Sequence, residues 1–423
     1  MTELNQQPHA VVLSGGGAFA AYEIGIMKAL FTGASPATAP SPVDPEIVTG
    51  TSAGAFNAAF LVSHSETGIL GALRNLEEVW LARLAGDAYG CHNGVARYRL
   101  NPVDLFNPAC FLRQPALTMT QLTEDLLYLA GDFSQRLNHF FRMPGRLEDR
   151  LTIFVNLSSF VIETFNKVIA ETIDFKKIGF SPRKFRIAVT NWTTGKVELC
   201  TNEQMSMATA AAHVEASAAI PGVFPPVRIG DSLYVDGGVL MNTPLNPALD
   251  AGAATMHVIY LDPDPADIPL PHLSGTLDVL GRLLAIDSAA AINHDIEHAA
   301  AINRGVEVLR AAAISGHIAS DDLHSFLRFV GQSAGQSLGA GASLLQQSLA
   351  EGYQQVTIHR YHPHESPLGG VTGLLDFERP NIERLIQRGY DDAVHHNCTT
   401  EGCITPNGLS QWPSQAVSNE KRA

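Results

Sequence analysis

The sequence predicts an α/β fold with a mainly parallel central sheet flanked by helices, followed by a C-terminal helical extension. Strand-like and helix-like segments alternate through the first 261 of the 423 residues, which is typical of parallel sheets with helices on their faces. Two of these strand-to-helix units, at residues 9–30 and 46–62, turn through glycine-rich loops. Beyond residue 273 the chain becomes rich in Ala, Leu and His and indicates helices.

The first unit passes from a strand at residues 9–13 through a bare S-G-G-G turn at 14–17 into an apolar helix at 18–30. N–H groups in such a turn can bind an oxyanion in acyl transfer or a phosphate in a nucleotide. The turn and Ala20 fit the dinucleotide fingerprint, but the acidic residue expected at the end of the second strand is missing. A purely structural glycine turn is the third interpretation.

The second unit carries G-T-S-A-G at residues 50–54, between a short strand at 46–49 and an apolar helix at 53–62. This pattern is typical of a nucleophile elbow, in which a strained strand-to-helix turn exposes a serine hydroxyl. The helix N-terminus favours the negative charge that the serine oxygen develops. A second G-x-S-x-G match surrounds Ser333, but it lies in a helix-like stretch. We therefore predict Ser52 as the nucleophile.

A third motif, Y-V-D-G-G-V at residues 234–239, predicts a strand that delivers Asp236 into a glycine turn. Asp-Gly is also the strongest hairpin dipeptide, so a simple hairpin turn is the alternative. The segment A-S-A-A-I-P-G-V-F-P-P-V precedes it at 216–227, and M-N-T-P follows at 241–244. Residues 186–195 predict a further strand and turn.

In this order, the motifs resemble those of the patatin-like phospholipases, including bacterial patatin-like serine acyl hydrolases, over most of residues 9–248. The resemblance implies a catalytic dyad of Ser52 and Asp236. It places the oxyanion loop, in which backbone amides act as donors, on Gly15, Gly16, Gly17 and Ala18. The glycines that support the motifs are Gly50, Gly54, Gly237 and Gly238.

The resemblance implies a lipid acyl hydrolase that cleaves carboxylic esters of phospholipids, lysophospholipids or related acyl lipids through an acyl-enzyme, without a cofactor. The family's glycine loop usually continues with a basic residue and a glycine, whereas this chain has Phe19 and Ala20. Neutral lipids, lysolipids and acyl esters therefore become more credible substrates than anionic phospholipids. The alternatives are a Ser-His-Asp esterase or thioesterase and a binding protein whose catalysis has decayed.

The 16 histidines leave room for such a triad. His257 follows Asp236 but lies in a strand-like apolar run, so a structural role is the better interpretation. Histidines of the helical stretch are expected to be solvated or packed; these are His294, His298, His317 and His324. His359, His362 and His364 lie close together, but their spacing matches no known metal site, and we expect no metal.

Composition favours a cytoplasmic enzyme, and any membrane contact is expected to be peripheral. The hydrophobic fraction of 45% supports a sizeable core, and the formal net charge of −14 disfavours nucleic acid as a partner. Between residues 136 and 186, however, ten basic residues outnumber five acidic ones. The densest part of this segment, at 176–186, is either a solvated surface or a patch for lipid head groups.

The five cysteines, without any C-x-x-C, are typical of a reduced compartment. We expect neither a signal peptide nor a transmembrane helix, and the oligomeric state is left open. The predicted organisation is a catalytic α/β domain at 7–261, a mostly helical extension packed on it at 262–397, and a disordered tail at 398–423.

Overall fold

The structure is a computed structural model, and it describes the following residues: 8–38, 41–86, 94–99, 112–113, 115–144, 146, 161–163, 165–221, 223–261, 286, 296, 300, 303, 356–363, 373–405 and 408–409. The second G-x-S-x-G match around Ser333, His364 and most of the helix-rich stretch from 273 to 353 lie outside them. Of that stretch, the structure describes Ile286, Ile296, Ala300 and Asn303, each in helical conformation.

Twelve strands and ten α-helices belong to the described residues. The strands are β1 (His9–Leu13), β2 (Ile47–Thr51), β3 (Ala96–Tyr98), β4 (Val161–Glu163), β5 (Lys184–Asn191), β6 (Lys196–Thr201), β7 (Val227–Ile229), β8 (Ser232–Asp236), β9 (Thr255–Ile259), β10 (Thr357–Tyr361), β11 (Ile404–Thr405) and β12 (Gly408–Leu409). The helices are α1 (Ala21–Thr32), α2 (Ala53–His64), α3 (Ile69–Val79), α4 (Pro115–Arg142), α5 (Phe165–Thr172), α6 (Phe175–Gly179), α7 (Asn202–Met205), α8 (Ala210–Ser217), α9 (Leu245–Asp250) and α10 (Arg379–Val394).

Ten of these strands form one sheet in the order β12-β11-β10-β9-β1-β2-β5-β8-β7, with β6 also paired to β5. The five neighbours from β10 to β5 are mutually parallel, and the strands at both ends are antiparallel. The predicted mainly parallel α/β fold is therefore confirmed. Strands β3 and β4 form a separate antiparallel pair.

Strand β5 has two different neighbours along one of its edges. β6 pairs with residues 186–191 of β5 and therefore occupies one edge. The other edge pairs with β2 up to Ala188 and with the antiparallel β8 from Val189 onward. Strands β2 and β8 thus point towards each other, and their carboxyl ends meet at the middle of β5.

Alternation along the strands divides the core between the two faces of the sheet, because successive side chains of a strand point to opposite sides. In β1, Val11 and Leu13 pack with the core that α1, α2, α3 and α10 cover. Ala10 and Val12 pack with the second core, which α9 covers. The apolar sequence of β1 is thereby explained, since both of its faces are buried.

The C-terminal helix α10 packs closely on α1. A Cβ atom on Gly25 would lie 2.0 Å from the carbonyl oxygen of Ile386, and one on Gly389 would lie 2.1 Å from that of Tyr22. The Tyr22 hydroxyl also donates a hydrogen bond of 2.8 Å to Asp392. Side chains larger than glycine at these two positions would push the helices apart. The close packing of α10 on α1 therefore depends on Gly25 and Gly389.

The C-terminal part also completes the sheet, through β10, β11 and β12. Residues 398–405 and 408–409, which the sequence places in the tail, form turns and these short strands. The division of the chain at residues 261 and 397 stays a prediction.

Candidate active site

Ser52 lies at the sharp turn between β2 and α2. Its φ of 56° and ψ of −126° make it the one non-glycine residue with positive φ in the part of the chain that the structure describes. The turn is tight: a Cβ atom on Gly50 would lie 2.4 Å from the Gly54 carbonyl oxygen, and one on Gly54 would lie 2.6 Å from that of Ser14. Backbone strain of this kind costs about 1–3 kcal/mol and persists where the surrounding structure imposes it.

Asp236 lies directly opposite this serine. The Ser52 hydroxyl donates a hydrogen bond of 2.7 Å to Asp236 Oδ2, and the Gly238 N–H donates one of 2.7 Å to Oδ1. Both side chains are buried, with exposed fractions of 4% and 5%. Burial raises the pKa of Asp236 from 3.8 to about 7, although the hydrogen bonds from Ser52 and Gly238 lower it. A carboxylate with this pKa can accept a proton near neutral pH.

The Asp236-Gly237 pair is not a hairpin turn. The hairpin lies upstream, between β7 and β8, where Gly230 adopts a φ of 60°. After Asp236 the chain forms a 3-10 turn at Gly237–Val239. A Cβ atom on Gly237 would lie 2.2 Å from the Ala188 carbonyl oxygen, and one on Gly238 would lie 3.0 Å from Asp236 Oδ1. The two glycines therefore let the aspartate approach β5 and its own turn closely.

Ser217 supports the elbow, a role that the sequence analysis missed. Its hydroxyl accepts a hydrogen bond of 2.9 Å from the Ser52 N–H and donates one of 2.7 Å to the Ala188 carbonyl. The hydroxyl thus connects the strained residue to β5. The signal was present in the sequence, since Ser217 belongs to the A-S-A-A motif at 216–219.

The glycine loop lies against Ser52, since a Cβ atom on Gly15 would come within 3.0 Å of the Ser52 Cβ. Two of the predicted oxyanion amides already have acceptors. The Gly15 N–H donates to the Asn242 carbonyl at 3.0 Å, and the Ala18 N–H donates to the Leu374 carbonyl at 2.8 Å. These two partners lie more than two hundred residues downstream, so the loop sequence could not reveal them.

The amides of Gly16 and Gly17 have no acceptor among the described residues. The φ of Gly17 is 54°, a backbone conformation that glycine adopts without strain. The Ala53 N–H, which follows the serine at the start of α2, has no acceptor among those residues either. An amide at this position contributes to the oxyanion hole of elbow hydrolases.

A buried polar network lies beneath the loop. Asn57 donates a hydrogen bond of 2.8 Å to the Glu23 carboxyl and accepts one of 2.8 Å from the Trp80 indole. Burial raises the pKa of Glu23 well above its usual range, against the lowering effects of hydrogen bonds from Asn57 and the Ser14 backbone. The network connects α1, α2 and the π-helical turn at Trp80–Leu84.

Of the histidines that the structure describes, none forms a hydrogen bond with Ser52 or Asp236. His257 is buried in β9 between the stacked rings of His9 and His359, at centroid distances of 5.9 and 5.1 Å. Its burial, together with His359, His9 and His396, lowers its pKa well below 6.5. The structural role predicted for His257 agrees with this position.

Four of the five basic residues at 176–186 have local partners. Lys177 lies 2.8 Å from Glu66, and Arg183 lies 2.7 Å from Asp44. Lys184 and Arg186 donate to the backbone carbonyls of Ala251 and Pro247. This pairing favours a structural role for these cations over a patch for lipid head groups.

His359 and His362, two of the three histidines that are close in sequence, have different neighbours in the structure. His362 lies 2.9 Å from Glu401, whereas His359 approaches His396, Cys398 and Cys403. The last three residues were not predicted as ligands.

Structure and sequence comparisons relate this chain to known proteins. Among solved structures, VipD from Legionella pneumophila matches 92% of this chain with a TM-score of 0.34 and 14% sequence identity. The present chain spans 66% of the length of the VipD chain. No curated protein matches in sequence. The sequence model of the patatin-like phospholipases matches residues 11–249, more than half of the chain. The chain therefore belongs to the patatin-like phospholipase family, whose general activity is lipid acyl hydrolysis.

Proposed function

We propose that the protein is a lipid acyl hydrolase that uses Ser52 and Asp236 as a catalytic dyad. The observation that carries the proposal is the hydrogen bond of 2.7 Å from the Ser52 hydroxyl to a buried carboxylate. A serine needs a neighbouring base to become nucleophilic, and Asp236 has a pKa raised to about 7.

In the first half-reaction, Ser52 Oγ attacks the ester carbonyl carbon while its proton passes to Asp236 Oδ2. The amides of Gly16, Gly17 and Ala53 donate to the oxygen that becomes negative. Collapse of the tetrahedral intermediate breaks the ester bond, and the leaving alcohol takes the proton from Asp236. In the second half-reaction, Asp236 deprotonates a water molecule that attacks the acyl-serine. The fatty acid then leaves and Ser52 regains its proton.

The substrates proposed are carboxylic esters of phospholipids, lysophospholipids and related acyl lipids. Phe19 and Ala20, which replace the family's usual basic residue and glycine, are buried. The turn after the glycines thus offers no cation to an anionic head group. We therefore expect neutral lipids, lysolipids and simple acyl esters to be cleaved faster than anionic phospholipids.

Membrane contact is proposed to be peripheral, through one face of α4. Five apolar residues share that face at spacings of seven or four and have exposed fractions between 39% and 70%; they are Met119, Leu126, Phe133, Leu137 and Phe141. An exposed apolar stripe of this length marks an interaction site, and a lipid surface is the occupant that suits an enzyme whose substrates lie in one. No described helix is both long and apolar enough to span a bilayer. The cytoplasmic location stays a prediction.

A substrate panel tests the activity. The purified protein would be mixed with vesicles of phosphatidylcholine or phosphatidylglycerol, with lysophosphatidylcholine, with emulsified triacylglycerol and with an acyl-CoA thioester, and released fatty acid would be measured by mass spectrometry. A fluorophosphonate probe would identify the reactive serine by peptide mapping. We expect fatty acid from the esters and a probe adduct on Ser52.

Two outcomes would favour the alternatives. Preferred cleavage of the thioester, together with dependence on a histidine, would indicate a triad thioesterase. Lipid binding without turnover or probe labelling would indicate a decayed binding protein.

Vesicle flotation tests the α4 face. Leu126→Glu and Phe141→Glu should weaken flotation, whereas Gln135→Glu on the opposite, exposed side of the helix should not. If the two glutamates instead convert a dimer into a monomer in solution without changing flotation, the face binds a second copy of the chain.

A further inference from the structure

Four side chains with metal-binding atoms converge at the edge of the sheet formed by β10 and β11. His359 lies in β10, His396 follows the end of α10, and Cys398 and Cys403 flank the turns that lead into β11. One ligand atom from each residue lies within 4.8 Å of the other three. One residue of β10 and three residues of the segment 396–403 therefore converge.

The distances fit a tetrahedral zinc ion. Cys398 Sγ lies 3.4 Å from His359 Nδ1 and 3.4 Å from His396 Nε2, and Cys403 Sγ lies 3.4 Å from His396 Nε2. With Zn–S bonds of about 2.3 Å and Zn–N bonds of about 2.0–2.1 Å, a tetrahedron has a sulfur-to-nitrogen edge of about 3.5 Å. The side chains are thus already spaced as the ligands of one ion would be.

We propose that His359, His396, Cys398 and Cys403 bind one zinc ion. Two thiolates and two imidazoles are a ligand set of structural zinc sites, which are closed by four protein ligands, whereas catalytic sites keep a position for water. The zinc ion would therefore stabilise the fold, and it would take no part in the chemistry of Ser52 and Asp236.

The surroundings of the ligands match this role. The Arg360 N–H points at Cys403 Sγ from 3.4 Å, as a donor to a metal-bound thiolate does. The His359 ring stacks on His257, and the His396 ring lies 4.5 Å from that of Tyr361. His359, His396 and Cys403 are buried, so the rings and the backbone orient the ligands and exclude water.

A zinc ion at this position would join β10 to the segment that connects α10 with β11. It would hold the 396–403 segment, H-N-C-T-T-E-G-C, against β10 and so order the last strands of the sheet. The competing chemistry for the two cysteines is a disulfide, but no disulfide joins Cys398 and Cys403 in the structure.

The test is the metal content of the full-length protein purified from zinc-supplemented culture without chelators. We expect about one zinc ion per chain. Cys398→Ser, Cys403→Ser and His396→Gln should each lose it. His395→Gln changes the neighbouring histidine, which is exposed and bonds only to the Asp391 backbone, and should keep it.

Cobalt substitution keeps the proposal testable if those variants fail to fold. The wild-type protein would be stripped by a chelator under reducing conditions and titrated with Co²⁺ alone. Tetrahedral thiolate ligation gives intense visible bands with sulfur-to-metal charge transfer. Failure of the reduced wild-type protein to retain zinc or to develop these bands would overturn the proposal, as would a Cys398–Cys403 disulfide in protein purified under anaerobic conditions. Ser52→Ala should bind zinc normally, so this result and the hydrolase proposal can fail independently.

Discussion

Ser52 and Asp236 are 184 residues apart in sequence, yet Ser52 Oγ and Asp236 Oδ2 are 2.7 Å apart. Their meeting depends on the register of β5. Thr51 pairs with Ala188 and Asp236 with the next residue, Val189. A shift of β8 by one residue would turn the Asp236 side chain to the other face of the sheet, so the same pairing that completes the sheet also sets the geometry of the dyad.

The first prediction concerns the nucleophile. Ser52→Ala should abolish fluorophosphonate labelling and lower kcat by on the order of 10⁴-fold or more, because loss of a nucleophile leaves only binding and oxyanion stabilisation. Ser63→Ala is the matched control. Ser63 is buried on α2, the helix that follows Ser52, and its hydroxyl donates a hydrogen bond to the Phe60 carbonyl. This variant should keep both the fluorophosphonate labelling and the wild-type kcat. Ser333→Ala should also behave as wild type. A probe adduct on Ser333 would contradict the assignment.

The second prediction concerns the base. Asp236→Asn should lower kcat/KM by about 10² to 10⁴, the usual contribution of a general base. In the wild type, kcat/KM should rise with pH through about 7, because the Asp236 carboxyl is protonated below that value. The rise should be missing in the residual activity of the variant. Asp231→Asn, in the exposed turn before β8, should retain the wild-type rate and profile. A wild-type rate in Asp236→Asn would make the aspartate a turn residue only.

The third prediction links the same pKa to stability. A carboxyl with a raised folded-state pKa contributes stability that is complete below the unfolded pKa, here 3.8, and that is lost as the pH rises through the folded pKa of about 7. Asp236→Asn does not titrate. The unfolding free energy of the variant, minus that of the wild type, should therefore increase between about pH 4 and pH 8 by about 4 kcal/mol.

Urea denaturation of both proteins across this pH range measures the difference. Glu23, whose pKa is also raised, is present in both proteins and cancels. A pH-independent difference would show that Asp236 is ionised in the folded protein at all these pH values.

The fourth prediction separates a dyad from a triad. Six histidines would be replaced one at a time by Gln or Asn, with folding checked by circular dichroism; they are His257, His272, His294, His298, His359 and His362. His257 is buried, so its variant should lose stability. Each folded variant should keep kcat within about tenfold, a barrier change near 1.4 kcal/mol. A loss of about a thousandfold in one folded variant would overturn the dyad.

Local motifs were sufficient to predict the elbow and the aspartate strand. G-T-S-A-G predicts a sharp turn that requires small neighbouring residues, and the strand before it shows that the turn leads from a strand into a helix. Helix α4 was not predicted. Its sequence did contain a signal, because the apolar residues of its stripe recur at spacings of seven and four.

Contacts made by distant backbone atoms could not be predicted. The acceptors of the Gly15 and Ala18 amides are the carbonyls of Asn242 and Leu374, and a carbonyl carries no side-chain signal. The cluster of His359, His396, Cys398 and Cys403 had a partial signal in the H-x-C-x4-C spacing at 396–403. Its remaining ligand comes from a strand nearly forty residues earlier, which the fold alone brings near.

The position of β9 between β1 and β10 has a practical consequence for fragments of this protein. The family match ends at residue 249, whereas β9 begins at Thr255. A chain cut after residue 249 would leave one edge of the apolar strand His9–Leu13 unpaired. The backbone N–H and C=O groups that bond to β9 would then lack partners. Such an edge recruits strands from other molecules. Expression of the family-matched segment by itself should therefore yield aggregates. A fragment that is to stay soluble should include β9 and its partner strand β10.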